Sequence, residues 1–267
     1  MMSSTRCIPW QGNLACISSE GVAMKSRHTI DGKHVFGPDS DYTTLAISGL
    51  QLLGEETIIS RICADSNISE TVLSACGYLI DKMAKWTIYC GEDSSVSISR
   101  SQPLVGTVEG EEIDPKFHSK IADAWRAEMN EVSQGAFVSE QSYLNNTSAR
   151  MNLQSQSHGN ISIWPPREMI GESRPVESSP LRKSGTIESW TRLSAGGAPS
   201  EFALRAPILD GVCTVFVKLK DGPNGVFLLA DDEVSAPEIG DNIELVVRRI
   251  YAQDGLMRHG LKALIVD

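Results

Sequence analysis

The chain is 267 residues long, enough for one large domain or two of ordinary size. Hydrophobic residues make up 41% and charged residues 22%, which excludes wholesale disorder and collagen-like repeats. No run approaches the ~18 apolar residues of a membrane-spanning helix, and a net charge of −10 sets up an acidic field that weighs against nucleic acid as a partner.

Met1 to Met24 mixes Ser, Gly, Asn and Glu without the apolar core of a secretory signal, so a cytoplasmic location is expected. The first 38 residues carry little periodicity. Ser40 or Asp41 then caps a helix that runs through Leu45, Leu50 and Leu53. Glu56 to Ala64 is β-branched and compact, like a buried strand. From Ser69, the residues Val72, Leu73, Cys76, Leu79, Ile80 and Met83 fall on one stripe at helical spacing, which predicts a helix to Met83. Lys85 to Gly91 reads as a second short strand. This alternation predicts a layered α/β unit with a parallel strand pair.

An acidic, irregular stretch follows as far as Asp114-Pro115, a helix start with Asp as cap and Pro at the first helical position. Phe117, Ile121, Ala124, Trp125 and Met129 repeat at helical spacing, with Trp125 read as a core aromatic. A further helix is expected over Val138 to Met151. Gln154 to Ser184 is rich in Ser, Gly, Pro and Glu and contains Trp164-Pro165-Pro166, so it reads as a linker or a strapped-down connection. The expected organisation is an α/β unit over 1–153, a linker over 154–184 and an all-β domain over 185–267.

That last domain offers five strands: Thr186 to Leu193, Val212 to Lys220, Gly225 to Ala230, Ile243 to Tyr251 and Leu256 to Val266. Gly-, Asn- and Asp-rich turns separate them. In the second strand, Val212, Thr214 and Phe216 alternate with Cys213, Val215 and Val217, which predicts two largely buried faces. Five strands in this span fit a small closed barrel such as an OB-fold, with a small sandwich as the competing architecture.

The six cysteines, Cys7, Cys16, Cys63, Cys76, Cys90 and Cys213, show no C-x-x-C spacing. That argues against a cysteine zinc ribbon and for buried or free thiols. The five histidines are scattered, and no metal site is expected. Gly32-Lys33 lacks the order of a phosphate loop, and neither G-x-G-x-x-G nor G-x-S-x-G occurs. Candidate nucleophiles reduce to Cys63 and Cys90 at strand ends and Cys76 within an apolar stripe. Arg248-Arg249, with Lys218 and Lys220, is either a small basic face suited to a nucleotide phosphate or surface charge balancing Asp231-Asp232-Glu233.

The run GTIESWTRLSA … CTVFVKLKDGPNGVFLLADDEV … EIGDNIELVVRRIYAQDG resembles the acyl-CoA-associated OB-fold proteins encoded beside thiolases. In that family a zinc ribbon precedes the barrel: a Cys pair, an aromatic-Pro-Pro-Arg element, then a second Cys pair. Here the middle element stands as Trp164-Pro165-Pro166-Arg167-Glu168. The pairs are replaced by Ser157-His158-Gly159-Asn160 and Met169-Ile170-Gly171-Glu172. The resemblance covers about residues 155–265 and implies a ribbon without metal. More weakly, the N-terminal half is similar to a shortened thiolase-fold protein of the 3-hydroxy-3-methylglutaryl-CoA synthase type. The similarity lies in Asp39-Ser40-Asp41 with Thr43-Thr44-Leu45-Ala46, in the Ser69–Met83 and Trp86–Asp93 segments, and in Asp123-Ala124-Trp125-Arg126. Where that family has its nucleophilic cysteine, four residues ahead of Thr71, this chain has Asn67, and a carboxamide forms no acyl-thioester.

The resemblance implies a non-catalytic accessory subunit of a thiolase or acyltransferase complex. In it, a catalytic thiolase-fold subunit would be the partner in a hetero-oligomer, with an acyl-CoA thioester as the substrate of the complex. Trp190, Arg248 and Arg249 are the acyl-CoA-binding candidates, and no catalytic residue is assigned to this chain. The alternatives are a stand-alone acyl-CoA-transforming enzyme with a cysteine nucleophile and a single-stranded nucleic-acid-binding OB-fold, whose aromatics would be Trp190, Phe202, Phe216, Phe227 and Tyr251.

Overall fold

The computed structural model describes residues 5–54, 59, 61–106, 108–131, 151–164, 169–174, 176–232, 236–253 and 255–266. The expected helix over Val138 to Met151 lies, apart from Met151, outside them. The chain divides into two compact units, Met1–Lys120 and Ile121–Asp267.

Unit 1 opens with strands where the sequence showed little pattern: β1 (Arg6–Trp10), β2 (Asn13–Ser18), β3 (Gly21–Ser26), β4 (His28–Ile30) and β5 (Lys33–His34). Then come α1 (Tyr42–Gly54), β6 (Arg61–Ala64), α2 (Asn67–Cys76), β7 (Leu79–Ile80), β8 (Thr87–Gly91), β9 (Ser95–Ser99) and β10 (Glu111–Glu112). Helix α3 (Pro115–Glu131) spans the division between the units. The main sheet has the order β1-β2-β3-β9-β8-β6-β7, and a small second sheet has the order β10-β4-β5. The expected parallel pair is present, with Cys63 opposite Thr87. The N-terminal strands gave no alternation because β3 is buried on both faces, Gly21 to Met24 and Ser26 being inaccessible; period 2 is visible only where one face meets water.

Helix α1 starts as expected. The Asp41 carboxylate accepts from the Thr44 N–H at 2.9 Å, and the Thr44 hydroxyl accepts from the Asp41 N–H at 2.9 Å, a reciprocal cap. It packs its Leu45, Ala46 and Leu50 into the core with Met24, Ile88 and Ile98. Helix α2 departs from expectation at both ends. Ser66 caps it by accepting from the Ser69 N–H, and Gly77, at φ 77°, ends it in the left-handed conformation that glycine adopts without a Cβ penalty. Leu79, Ile80 and Met83 therefore leave the predicted stripe, and Met83 is 89% exposed.

One expectation about the thiols is overturned. Cys7 and Cys16 lie directly opposite each other across β1 and β2 and form a disulfide, leaving Cys63, Cys76, Cys90 and Cys213 as free thiols.

In unit 2 the described residues of the 154–184 stretch include three strands. β11 (Gln154–His158), β12 (Ile161–Ile163) and β13 (Val176–Pro180) make an antiparallel sheet in the order β12-β11-β13. Backbone pairing, which composition does not report, orders this Ser- and Gly-rich stretch. The barrel follows as β14 (Ser184–Leu193), β15 (Val212–Leu219), β16 (Asn224–Leu229), β17 (Asn242–Gln253) and β18 (Leu256–Ile265), each close to its predicted span. It closes in the order β14-β15-β16-β18-β17, with β16 and β18 parallel and the other pairs antiparallel. The described residues thus form a β-rich protein with three helices and an OB-like five-stranded barrel. Register shifts in β14 and β17 mark bulges that bend long strands around a small barrel.

The barrel interior holds Val215, Val217, Leu219, Leu229, Ile243, Leu245 and Ala263. Strand β15 buries one face rather than the two predicted: Phe216 and Lys218, between the inward valines, are exposed. Among the described residues no helix is long and apolar enough to cross a membrane.

Candidate functional site

The barrel wall is weakly paired between β16 and β18. Parallel strands β16 and β18 are in register only at Leu228 with Lys262 and Leu229 with Ala263, so their earlier residues part. A cavity of about 270 Å³ occupies the gap. Trp164, Phe227 and Tyr251 supply rings to its wall, Val226, Ile250 and Leu261 supply aliphatic groups, and Arg258 and His259 supply nitrogen. Both of the latter side chains are buried, and none of the described lining residues is acidic.

Trp164 follows β12 directly, so the small sheet delivers it to the barrel. Its ring stacks on Phe227 with centroids 5.3 Å apart and planes at 22°. The stack depends on Gly225: a Cβ there would sit 2.7 Å from Phe227 and 2.8 Å from Trp164. The Trp164 indole N–H is buried and donates to no described group.

Elsewhere in unit 2 lies a buried ionic cluster. Arg205 and Glu128 are both inaccessible, with Nε donating to Oε2 at 2.7 Å. Arg205 also donates to Asp231 at 3.2 Å and to the Ile250 carbonyl at 3.0 Å, and Lys262 Nζ reaches Asp231 at 2.5 Å. The Trp125 ring carries the Arg205 guanidinium at 3.6 Å and that of Arg249 at 4.4 Å. Such a desolvated cation–π contact is worth about 2 kcal/mol. Burial pushes the Glu128 carboxyl up, while Arg205 opposes the shift. A second cavity, about 50 Å³, is lined in part by Arg205, Asp231 and Lys262.

This cluster decides where the predicted site residues fall. Arg248 is fully buried, donates to the Val247 carbonyl at 3.0 Å and lies 3.9 Å from Asp232. Arg249 is committed to Trp125. The balance of arginine against Asp231 and Asp232 is therefore internal, while Lys218 and Lys220 stay exposed; Glu233 lies outside the described residues. Trp190 is 41% exposed and pairs with Val215, whereas Arg248 pairs with Gly260, so register does not bring Trp190 to the arginines. Sequence reading missed Arg205, Glu128 and Lys262, whose partners are remote and leave no local signal, and it missed Arg258 in the cavity wall. Trp164 did carry one, the Pro-Pro-Arg element behind it.

The candidate nucleophiles Cys63, Cys76 and Cys90 all lie in unit 1. Cys76 and Cys90 pack against the same core. Burial pushes both thiols up, with Asp41 adding at Cys76 and Asp65 adding at Cys90, where a Ser69 hydrogen bond opposes. Burial also raises Cys213, against Arg192. Cys63 is half-buried, its thiol 3.6 Å from the Ala64 carbonyl. Asn67 opens α2, and its carbonyl accepts from the Thr71 hydroxyl at 3.0 Å. Among the described residues no group of three His, Cys, Asp or Glu is placed to hold a metal ion.

No protein-family model and no curated protein matches the chain. A solved structure titled "Ltp2-ChsH2(DUF35) aldolase" is similar at a TM-score of 0.32 and 15% identity, over 49% of this chain and 98% of that one.

Proposed function

We propose that the chain is a non-catalytic accessory subunit of a thiolase-type acyltransferase complex, in which it assists acyl-CoA binding and subunit assembly. The observation that carries this reading is the groove at Trp164. The residue of the aromatic-Pro-Pro-Arg element, on which the family resemblance rests, is seated on the third strand of an OB-like barrel beside an open cavity with rings and an arginine in its wall. Such a wall holds a ligand; it offers no activated nucleophile. The raised thiols of Cys76, Cys90 and Cys213 agree, because a protonated thiol attacks a thioester poorly. The resemblance to a ribbon without metal has support in the turns at Gly159 and Gly171, where His158 Nε2 and Ser173 Oγ are 2.6 Å apart. Trp190 remains the exposed candidate for contact with acyl-CoA or partner, while Arg248 and Arg249 act by supporting the barrel.

The test is a tagged pull-down from the native host with mass spectrometry of what accompanies the chain. A thiolase-fold protein at near-equal amount supports the reading. A solitary chain overturns it, as does an acyl mass shift on this chain's own cysteines after incubation with acyl-CoA.

A further inference from the structure

We infer that β14 is a self-association edge, to which a second copy of this chain adds its own β14 as an antiparallel strand centred on Thr191. Strand β14 parts from the barrel along its length. It pairs with β17 only over Ser184–Thr186, and the backbone bonds of Ile187 with Gly240 and Asp241 end that contact. The register then shifts at Glu188. From Ser189 to Leu193 the strand is paired with β15 alone among the described residues. All five of these residues are exposed, Trp190 by 41% and Leu193 by 39%. A strand paired on one side turns alternate N–H and C=O groups outward, where another strand takes them up as a ladder.

The edges of the three sheets are blunted. β1 carries Arg6 and Pro9, and β13 ends in Pro180. β5, β7 and β10 are two residues long, and β12 is three. Charge, proline and shortness are the devices that keep an edge from pairing. The stretch from Ser189 to Leu193 has no proline and a single charge, Arg192.

Its sequence fits its own copy. Thr191 is the midpoint of the free stretch. A twofold axis there sets Thr191 against Thr191, Trp190 against Arg192 of the second copy, and Ser189 against Leu193 of the second copy. Side chains directly opposed across such a pair stand about 4.5–5.5 Å apart. Each guanidinium then reaches the face of an indole, and the axis makes that cation–π contact twice. Within the chain Arg192 interacts with the thiol of Cys213, its register pair on β15. A guanidinium stacked through its flat face keeps its N–H donors for that contact. An axis at Trp190 instead would bring Leu193 of the second copy against Ile187, whose edge Gly240 and Asp241 already fill.

The inference gives Trp190 a second copy as its neighbour and does not rest on the accessory-subunit reading. A thiolase-fold protein in the pull-down neither requires nor forbids this contact, so the two readings fail separately.

Sedimentation velocity of the full chain, purified alone, tests it over about a hundredfold range of concentration. A reversible monomer–dimer equilibrium is expected. Thr191→Lys sets two like charges against each other at the axis and should weaken the dimer about tenfold or more. Oxidised Thr191→Cys should give a dimer linked through the two introduced thiols, identified by peptide mass spectrometry. Ser189→Cys should not link through its own, because Leu193 stands opposite. A chain that stays monomeric at every concentration overturns the inference. So does a dimer that Thr191→Lys leaves intact, and so does linkage by Ser189→Cys without linkage by Thr191→Cys. If Thr191→Lys fails to fold, the cross-link decides.

Discussion

The guanidinium of Arg205 lies 3.6 Å from the centre of the Trp125 ring, while its Nε donates to Glu128 on the same helix as that tryptophan. One side chain thus joins α3 to the barrel through stacking and through charge. Arg205→Met should cost about 3–5 kcal/mol, because Glu128 loses its only described ion-pair partner inside the protein. Glu128→Gln added to that variant should restore part of the loss. Urea denaturation measures both, and a cost under about 1 kcal/mol would show that the pair is dispensable.

Gly225→Ala should loosen the seat of Trp164. The new methyl meets two rings at under 3 Å, and neither can retreat without opening the stack. Overpacking of this kind costs about 1–3 kcal/mol. A lowered Tm together with a red-shifted tryptophan emission is the expected result; an unchanged spectrum would mean that Trp164 does not rest on β16.

The cysteines can be counted. Denatured without reductant, the chain should show four reactive thiols out of six, the missing pair being Cys7 and Cys16. Reduction should destabilise unit 1 by about 2–3 kcal/mol, as expected for the short loop that the bridge closes. Six reactive thiols in the unreduced chain would refute the pairing.

Lys183 carries a pH signature. Burial lowers its ammonium from 10.5 to about 8, with Glu244 opposing. The unfolded chain then binds more protons than the folded one between about pH 8 and 10.5, so this group makes stability rise with pH across that window. At pH 7 the buried charge is a net cost, and Lys183→Met should stabilise the protein by roughly 1–3 kcal/mol while removing the rise. Thermal melts of both proteins from pH 7 to 10.5 test this, and parallel curves would exclude it.

Legibility tracked locality. Asp41 and Asp114-Pro115 announced their helices because a cap acts within one turn. The five barrel strands were visible because turns and β-branched runs are short-range signals. Strand β3 was hidden because both its faces are buried. The predicted stripe beyond Cys76 continued on paper, but Gly77 turned left-handed and ended it.

By itself, then, the sequence determined the barrel, its strand spans and the helix starts, since each depends on residues a few positions apart. It also marked Trp164 through the Pro-Pro-Arg element that follows. Only the tertiary structure decided what those residues do. Closure in the order β14-β15-β16-β18-β17 brings Phe227, Tyr251 and Arg258 to the groove beside Trp164. The same closure takes Arg248 out of solvent and turns an apparent surface pair into internal support. The register of β1 against β2 chose Cys16 as the partner of Cys7. Contacts between residues remote in the chain depend on how strands pair, and no local pattern encodes that pairing.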